Sequence, residues 1–400
     1  MMKKILIVIH NMGIGGAQKS LLSFLQCLAM HPRNKEYDIH VLPLDPSGEF
    51  LTQVPKCFTV EKPDNALRWM GTSMSFALLL RHFSLCGMAG EIVWMLRKRL
   101  GLLPKGLNVP QRLWYSWKRF IPHCQDQYDT AIAYMDGTSA YYVMDKVHAG
   151  KKMLWLHSDY QKQAYQVEFD KPYYEACNGV ITVSEACKES MRQAHPAQEA
   201  KIQVLENISA PWMIHAKSVE KVADEFCNME GIRLLTVGRL HEQKGIDIAI
   251  EAARCLKQQG VEFHWLIVGE GALRAKLEEM IAAYGLEEQV YLLGSRENPY
   301  VYMAQCDILV QPSRVEGKSI VLDEAKILCK PIVVTDYSTV HDAIVHGETG
   351  WIVAMNGEAI ADGIQTLCKH PEYRQKLVDH LKRLPQGNEA LVEQYIEKMF

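Results

Sequence analysis

Residues 234–258 read LLTVGRLHEQKGIDIAIEAARCLKQ. The β-rich apolar run Leu234–Gly238 passes through a short polar loop into a helical pattern from Gly245 to Gln258, and a second run, His264–Gly269, follows. A strand, a covering helix and a further strand make the unit of a parallel sheet. The alternation continues outward in both directions. Downstream the strand runs are Val290–Leu293, Ile308–Gln311, Pro331–Thr335 and Trp351–Val353. Upstream they are Ile5–His10, Ile39–Leu44, Phe58–Val60, Thr130–Met135, Met153–His157 and Val180–Ser184, with Ala17–Ala29 as the first covering helix. The expected fold class is α/β, with two doubly wound parallel-sheet domains facing a cleft along the carboxyl ends of both sheets, where ligands of this architecture bind. The expected domains are 1–207, with a helical insertion at 66–121, and 219–384. A hinge at 208–218 separates them, where Pro211 interrupts a stretch of little periodicity, and a C-terminal helix occupies 385–400.

The chain has 400 residues, 48% hydrophobic and 23% charged, which suits a globular protein with two large cores. A net charge of -3 argues against a dedicated nucleic-acid binder. The charge is uneven: 24 Lys/Arg against 19 Asp/Glu up to residue 212, and 20 against 28 beyond it. The first half is therefore expected to meet something anionic. The eleven cysteines are scattered, with no Cys-x-x-Cys pair and no Cys/His cluster, so a reducing cytosol is expected rather than a zinc site or a disulfide framework. The apolar run Ile5–Ile9 is too short for a signal peptide and reads as a first buried strand. No stretch of about 20 uncharged apolar residues occurs, and no transmembrane helix is expected.

Three loops carry the residues of interest. Gly13-Ile14-Gly15-Gly16-Ala17-Gln18 follows the first strand, where small residues let backbone N–H groups approach a phosphate or sugar beside a helix N-terminus. Gln18 stands where a dinucleotide fingerprint has its third glycine, and a tight turn with no ligand is the plain alternative. Arg239 and Lys244, five residues apart at a strand end, could hold a diphosphate without a metal; otherwise they are solvated surface charges. In Glu316-Gly317-Lys318-Ser319-Ile320-Val321-Leu322-Asp323-Glu324, Ser319 is expected to be the N-cap, leaving the N–H groups of Ser319 and Ile320 for a phosphate. Glu316 lies in the loop, while Glu324 lies about one turn into the helix and could reach a sugar diol, or else be an ordinary exposed carboxylate.

These loops occur in order with Gly269-Glu270-Gly271 and with Pro331-Ile332-Val333-Val334 after the Glu-x7-Glu spacing. The combination resembles the retaining, nucleotide-sugar-dependent glycosyltransferases of family 4, of the surface-polysaccharide type, with the GT-B fold of two Rossmann-like domains; the likeness is strongest over 232–354 and loose from 45 to 125. The resemblance implies that Arg239 and Lys244 bind the donor diphosphate with Gly317, Ser319 and Ile320, that Glu324 binds the ribose, and that Glu316 lies near the transferred sugar. It further implies that His157, in Trp155-Leu156-His157-Ser158-Asp159, contacts the donor sugar, and that the loop at Gly15 and Gly16 closes over the donor. Two departures stand out: Lys318-Ser319 replaces the usual Phe-Gly, and Asp323 replaces an apolar residue.

The expected activity is transfer of a sugar from a UDP-type nucleotide-sugar donor to a hydroxyl acceptor, with retention. No cofactor and no metal are expected, since no Asp-x-Asp motif occurs. A nucleotide-sugar epimerase of the same fold is the nearest alternative. A nicotinamide-dependent dehydrogenase would need the glycine that Gln18 replaces, and a non-catalytic sugar-nucleotide-binding module would not need Glu316 and His157. The insertion 66–121 holds nine Lys/Arg against Glu91 alone, with Trp69, Trp94, Trp114 and Trp117, and with Phe76, Leu78, Leu79 and Leu80 beside Arg81. Basic and aromatic residues together are expected to meet an anionic membrane surface, unless the tryptophans fill the core of the first domain. The expected partners are the nucleotide-sugar donor, a glycan or lipid-linked acceptor and that membrane surface, with no nucleic acid. The expected location is the cytoplasm, peripheral at the inner face of the plasma membrane.

Overall fold

Why the apolar runs become strands is plain from burial: Ile5 to Ile9 are 0% exposed, as runs of a sheet covered on both faces must be. The structure, a computed structural model, describes residues 2–71, 84–220, 226, 229–385 and 387–400. Phe76, Leu78, Leu79, Leu80 and Arg81 of the insertion lie outside the described residues. In chain order the elements are β1 (Lys3–Ile9), α1 (Gly16–Met30), β2 (Tyr37–Pro43), β3 (Thr59–Val60), α2 (Asn65–Gly71), α3 (Leu85–Arg99), α4 (Val109–Trp117), β4 (Gln127–Ala133), α5 (Thr138–Lys146), β5 (His148–Leu156), α6 (Val167–Ala176), β6 (Gly179–Thr182), α7 (Glu185–Ala194) and β7 (Ile202–Val204). They continue with α8 (Pro211–Ser218), β8 (Ile232–Val237), α9 (Ile246–Gln258), β9 (Phe263–Val268), α10 (Arg274–Ala283), β10 (Val290–Gly294), α11 (Tyr300–Gln305), β11 (Ile308–Gln311), α12 (Ile320–Ile327), β12 (Ile332–Thr335), β13 (Trp351–Val353), α13 (Gly357–Lys369), α14 (Pro371–Arg383) and α15 (Leu391–Met399).

Two compact units result, one of residues 1–207 with 390–400 and the other of 208–389. The first holds a parallel seven-stranded sheet in the order β3-β2-β1-β4-β5-β6-β7. The second holds a parallel six-stranded sheet in the order β10-β9-β8-β11-β12-β13. Each order reverses once, between β1 and β4 and between β8 and β11. At such a reversal the connections leave toward opposite faces, and the carboxyl ends of the two central strands open a crevice for a ligand.

Three details add to the sequence reading. The segment read as a hinge carries α8, which starts on Pro211, a residue suited to the first helical turn, and buries Ile214 against Tyr300 and Ile327 of its own unit. The C-terminal helix packs on the first unit: the Tyr395 ring lies 4.8 Å from Phe24 and 4.9 Å from Trp155, and its hydroxyl donates to the Glu206 carbonyl at 2.7 Å. In the insertion, Trp114, Trp117 and Trp69 are buried in the first unit's core, and Trp94 packs against it. These tryptophans are core side chains and do not form an outer aromatic face. The Trp114 indole donates to Asp145 at 2.8 Å, which satisfies its one polar group in that core.

Because Tyr395 fills space between Phe24 and Trp155, Tyr395→Ala is expected to destabilise the first unit by about 3–5 kcal/mol. Urea unfolding followed by tryptophan fluorescence measures this; an unchanged midpoint would show that α15 contributes no packing.

Candidate functional site

In the second unit the reversal lies between β8 and β11, and the loops that leave those strands carry Arg239, Lys244 and Glu316. The loop after β8 returns into α9 through Gly245 at φ +61, and a Cβ there would collide with the Pro312 carbonyl. Glycine at this position therefore lets the two loops touch. A Cβ at Gly269 would likewise strike the Gly238 carbonyl, so the turn after β9 also seats against the loop after β8. The two loops are braced by Arg314, which grips Asp247 through both carboxylate oxygens at 2.8 and 2.7 Å.

Inside this bracket the Lys244 ammonium meets Glu316 Oε1 at 2.6 Å. The same oxygen accepts from the Ser313 hydroxyl at 2.7 Å and from Gln311 Nε2 at 3.1 Å. The Thr339 hydroxyl donates to the Glu316 carbonyl at 3.0 Å. The Glu316 side chain is 10% exposed and that of Lys244 is 23% exposed, so the pair is largely shielded from water yet open at one side. Arg239 is exposed and makes no ion pair among the described residues.

Ser319 sits at the N-cap position of α12, but its hydroxyl caps no backbone N–H; it donates to Gln311 Oε1 at 2.8 Å. Ser319 thus occupies the expected N-cap position, with its hydroxyl turned to Gln311 at the end of β11 and not to a backbone N–H. The N-terminal N–H groups of α12, from Ile320 onward, are left without a side-chain cap next to buried Gly317. Glu324, in the second turn, is 1% exposed, and its Oε1 accepts from the Tyr300 hydroxyl at 3.0 Å. It is therefore no ordinary surface carboxylate. Lys318 is half-buried, and Asp323 pairs with Lys326 at 2.8 Å.

Gly15, Gly16 and His157 belong to the other unit, at the carboxyl ends of β1 and β5. Gly15 is the extended N-cap residue of α1 and offers no side chain to the free N–H groups behind it. Gln18 folds back and donates to Asn11 Oδ1 at 3.0 Å, lying where a dinucleotide would need open glycine backbone. The His157 ring stacks on Trp155 at 5.7 Å and 9° and lies 5.0 Å from Tyr134. Its Nε2 is buried with no hydrogen-bond partner among the described residues. Burial pulls its pKa down to about 3, against the opposing effect of a hydrogen bond to the Tyr134 backbone, so the imidazole is neutral near pH 7. Beside it in sequence, Ser158 donates to Asp136 at 3.3 Å, and Tyr165 donates to the same carboxylate at 3.0 Å. Burial raises the Asp136 pKa.

Sequence reasoning missed Gln311, Ser313, Tyr300 and Asp136. Gln311 left a trace, a polar residue closing the apolar run Ile308–Val310. The Tyr300–Glu324 contact left none. Among the described residues no group of three or more His, Cys, Asp or Glu is placed to hold a metal ion, and no helix is long and apolar enough to cross a membrane.

This architecture is GT-B. A solved structure of Anabaena HepE in complex with UDP and glucose superposes with a TM-score of 0.72 at 17% identity, covering 99% of this chain and 98% of that one. Residues 220–383 match the family model for glycosyl transferases group 1. The amylovoran biosynthesis glycosyltransferase AmsK of Erwinia amylovora is 38% identical over 138 residues, 32% of this chain and 34% of that protein. A Campylobacter jejuni N-acetylgalactosamine-N,N'-diacetylbacillosaminyl-diphospho-undecaprenol 4-alpha-N-acetylgalactosaminyltransferase is 24% identical over 384 residues, 93% of this chain and 92% of that protein. Across relatives at 30% identity or more, the chain spans between about a third and three fifths of their own length.

The buried neutral His157 has a consequence for stability. Below the unfolded value of 6.5 the unfolded chain takes up a proton that the native ring refuses until about pH 3, so His157 makes stability fall as pH drops through that window. Between neutral pH and pH 5 its share is about 2 kcal/mol. Urea unfolding at both pH values should show wild type losing about that much more than His157→Gln. Equal losses would mean that the ring is protonated in the native protein.

Proposed function

We propose that the protein transfers a sugar from a UDP-type nucleotide-sugar to a hydroxyl acceptor with retention, the acceptor being a glycan on a lipid carrier at the cytoplasmic face of the plasma membrane. The observation that carries this is the Lys244–Glu316 pair, set beside the start of α12 at the strand-order reversal of a unit that matches glycosyl transferases group 1. The acceptor class is supported by the diphospho-undecaprenol in the name of the Campylobacter relative, and the nucleotide by the UDP and glucose of the Anabaena complex.

In this reading the donor diphosphate takes the Lys244 ammonium from Glu316. Arg239 adds a second cation and Lys318 a third, while the N–H groups from Ile320 onward meet the phosphate beside Gly317 and Ser319. As the bond from the sugar to the phosphate oxygen breaks, negative charge grows on the diphosphate, and these fixed positive groups stabilise it more than they stabilise the intact donor. The acceptor oxygen bonds to the anomeric carbon from the face that the phosphate leaves, and its proton passes to the leaving phosphate oxygen. Glu316, released from Lys244, orients the sugar. His157, held neutral, offers Nε2 to a sugar hydroxyl. Glu324, steadied by Tyr300, accepts from the ribose diol. Gly15 and Gly16 leave room for backbone to approach the donor.

Charge neutralisation is assigned to this chain's own cations, so UDP release from a panel of UDP-sugars, with membrane glycolipid extract as acceptor, is expected to persist in EDTA. Arg239→Ala is expected to cost about 2–4 kcal/mol in kcat/KM for the donor. Complete loss on chelation with recovery in Mn²⁺, or an unchanged kcat/KM in the variant, would contradict the assignment. An epimerised UDP-sugar without any transfer would move the reading to an epimerase.

A further inference from the structure

Helix α3 is 15 residues long, yet the side it buries fully consists of two glycines, Gly87 and Gly90. A Cβ at either would press into Trp69 or Trp117, at 2.8 and 2.5 Å, so small residues let the helix lie flat on the tryptophan core. Met88 and Trp94 also pack against that core, while Leu85, Ile92, Met95 and Leu96 point the other way. Leu85 is 69% exposed, Ile92 53%, Met95 53% and Leu96 51%, and the turn beyond adds Leu100 at 64% and Leu102 at 62%. Positions 85, 92 and 96 repeat at helical spacing and form one stripe. Eight of the seventeen exposed large hydrophobic side chains among the described residues lie between Leu85 and Tyr115. Such a concentration marks an interaction surface, whereas scattered exposed leucines do not.

The charge around the stripe selects its occupant. Lys98 and Arg99 close the helix, Lys105 follows in the turn, and Glu91 is the one acid of residues 66–121 against nine Lys/Arg. A second copy docked face to face would set these cations against one another. Nucleic acid would need a row of exposed rings to stack on, and with the tryptophans in the core Tyr115 is the one exposed aromatic ring among the described residues of 85–115. An anionic lipid surface complements both the aliphatic stripe and the cations at its end.

We propose that the outer face of α3 and the turn after it insert into an anionic lipid surface, the aliphatic side chains entering the acyl boundary while Lys98, Arg99 and Lys105 meet headgroup phosphates. This deepens the reading of a lipid-borne acceptor and rests on it for its purpose. It replaces the tryptophans with leucine, isoleucine and methionine as the residues that enter the membrane.

Co-sedimentation with vesicles of phosphatidylglycerol and phosphatidylcholine tests it, using the full chain. Leu96→Asp with Leu100→Asp is expected to lower vesicle partitioning at least about tenfold at low and at high salt, since the loss is of apolar burial. Lys98→Glu with Arg99→Glu is expected to lower it at low salt and to have little effect at high salt. Both pairs are exposed, and an unchanged thermal midpoint confirms that the variants fold. Wild type left in the supernatant at low salt, or apolar variants that bind like wild type, would overturn the proposal. So would sedimentation velocity showing a lipid-free dimer that Leu96→Asp with Leu100→Asp converts to monomer. Titration of UDP into the same preparations separates the two ideas: vesicle binding without UDP binding counts against the transferase reading, and UDP binding without vesicle binding counts against the inserted face.

Discussion

The contact between the Lys244 ammonium and Glu316 Oε1, 2.6 Å long, is the constraint around which the second unit is arranged. Two ions lose much of their hydration there, and the loss is offset because the carboxylate oxygen also accepts from Ser313 and Gln311. Such a site forms only if the loops after β8 and β11 come together, which needs the parallel sheet order, the left-handed Gly245 against Pro312, and the Arg314–Asp247 brace. The same convergence delivers the uncapped start of α12, because Ser319 is turned toward Gln311. Sheet order, loop contact and helix terminus are thus one structural solution that brings Lys244, Glu316 and the start of α12 together.

The strands were largely legible in the sequence because their apolar runs are continuous and bounded by polar or glycine-containing loops. Ile308–Gln311 and Trp351–Val353 coincide with β11 and β13 to the residue. β7 escaped notice, since three residues at a sheet edge carry no pattern. Arg239, Lys244, Glu316 and Glu324 could be picked out by motif, but their contacts could not. Lys244 and Glu316 are 72 residues apart, and only the pairing of β8 with β11, past two intervening strands, makes them neighbours. The Tyr300–Glu324 hydrogen bond depends likewise on how two helices pack, which no local spacing encodes.

The insertion shows how composition can mislead about direction. Tryptophans interleaved with cations suggested an amphipathic outer face, yet Trp114 and Trp117 are the centre of a core. The informative residues were Gly87 and Gly90, three apart in a helix: glycine is a poor helix former, and its presence at that spacing signals a close approach to something bulky. Once the small face is inward, the leucine, isoleucine and methionine stripe must be outward. At His157 the sequence showed a histidine at a strand end, while its neutrality comes from burial.

The central claim is that Lys244 serves the diphosphate and is held by Glu316 until the donor arrives. Calorimetric titration of UDP into wild type and into Glu316→Gln tests it most directly. Removing the carboxylate leaves the ammonium unclaimed, so the variant is expected to bind UDP about five- to tenfold more tightly, a gain of roughly 1 kcal/mol. Unchanged or weaker binding in Glu316→Gln, with wild type binding UDP normally, would contradict it.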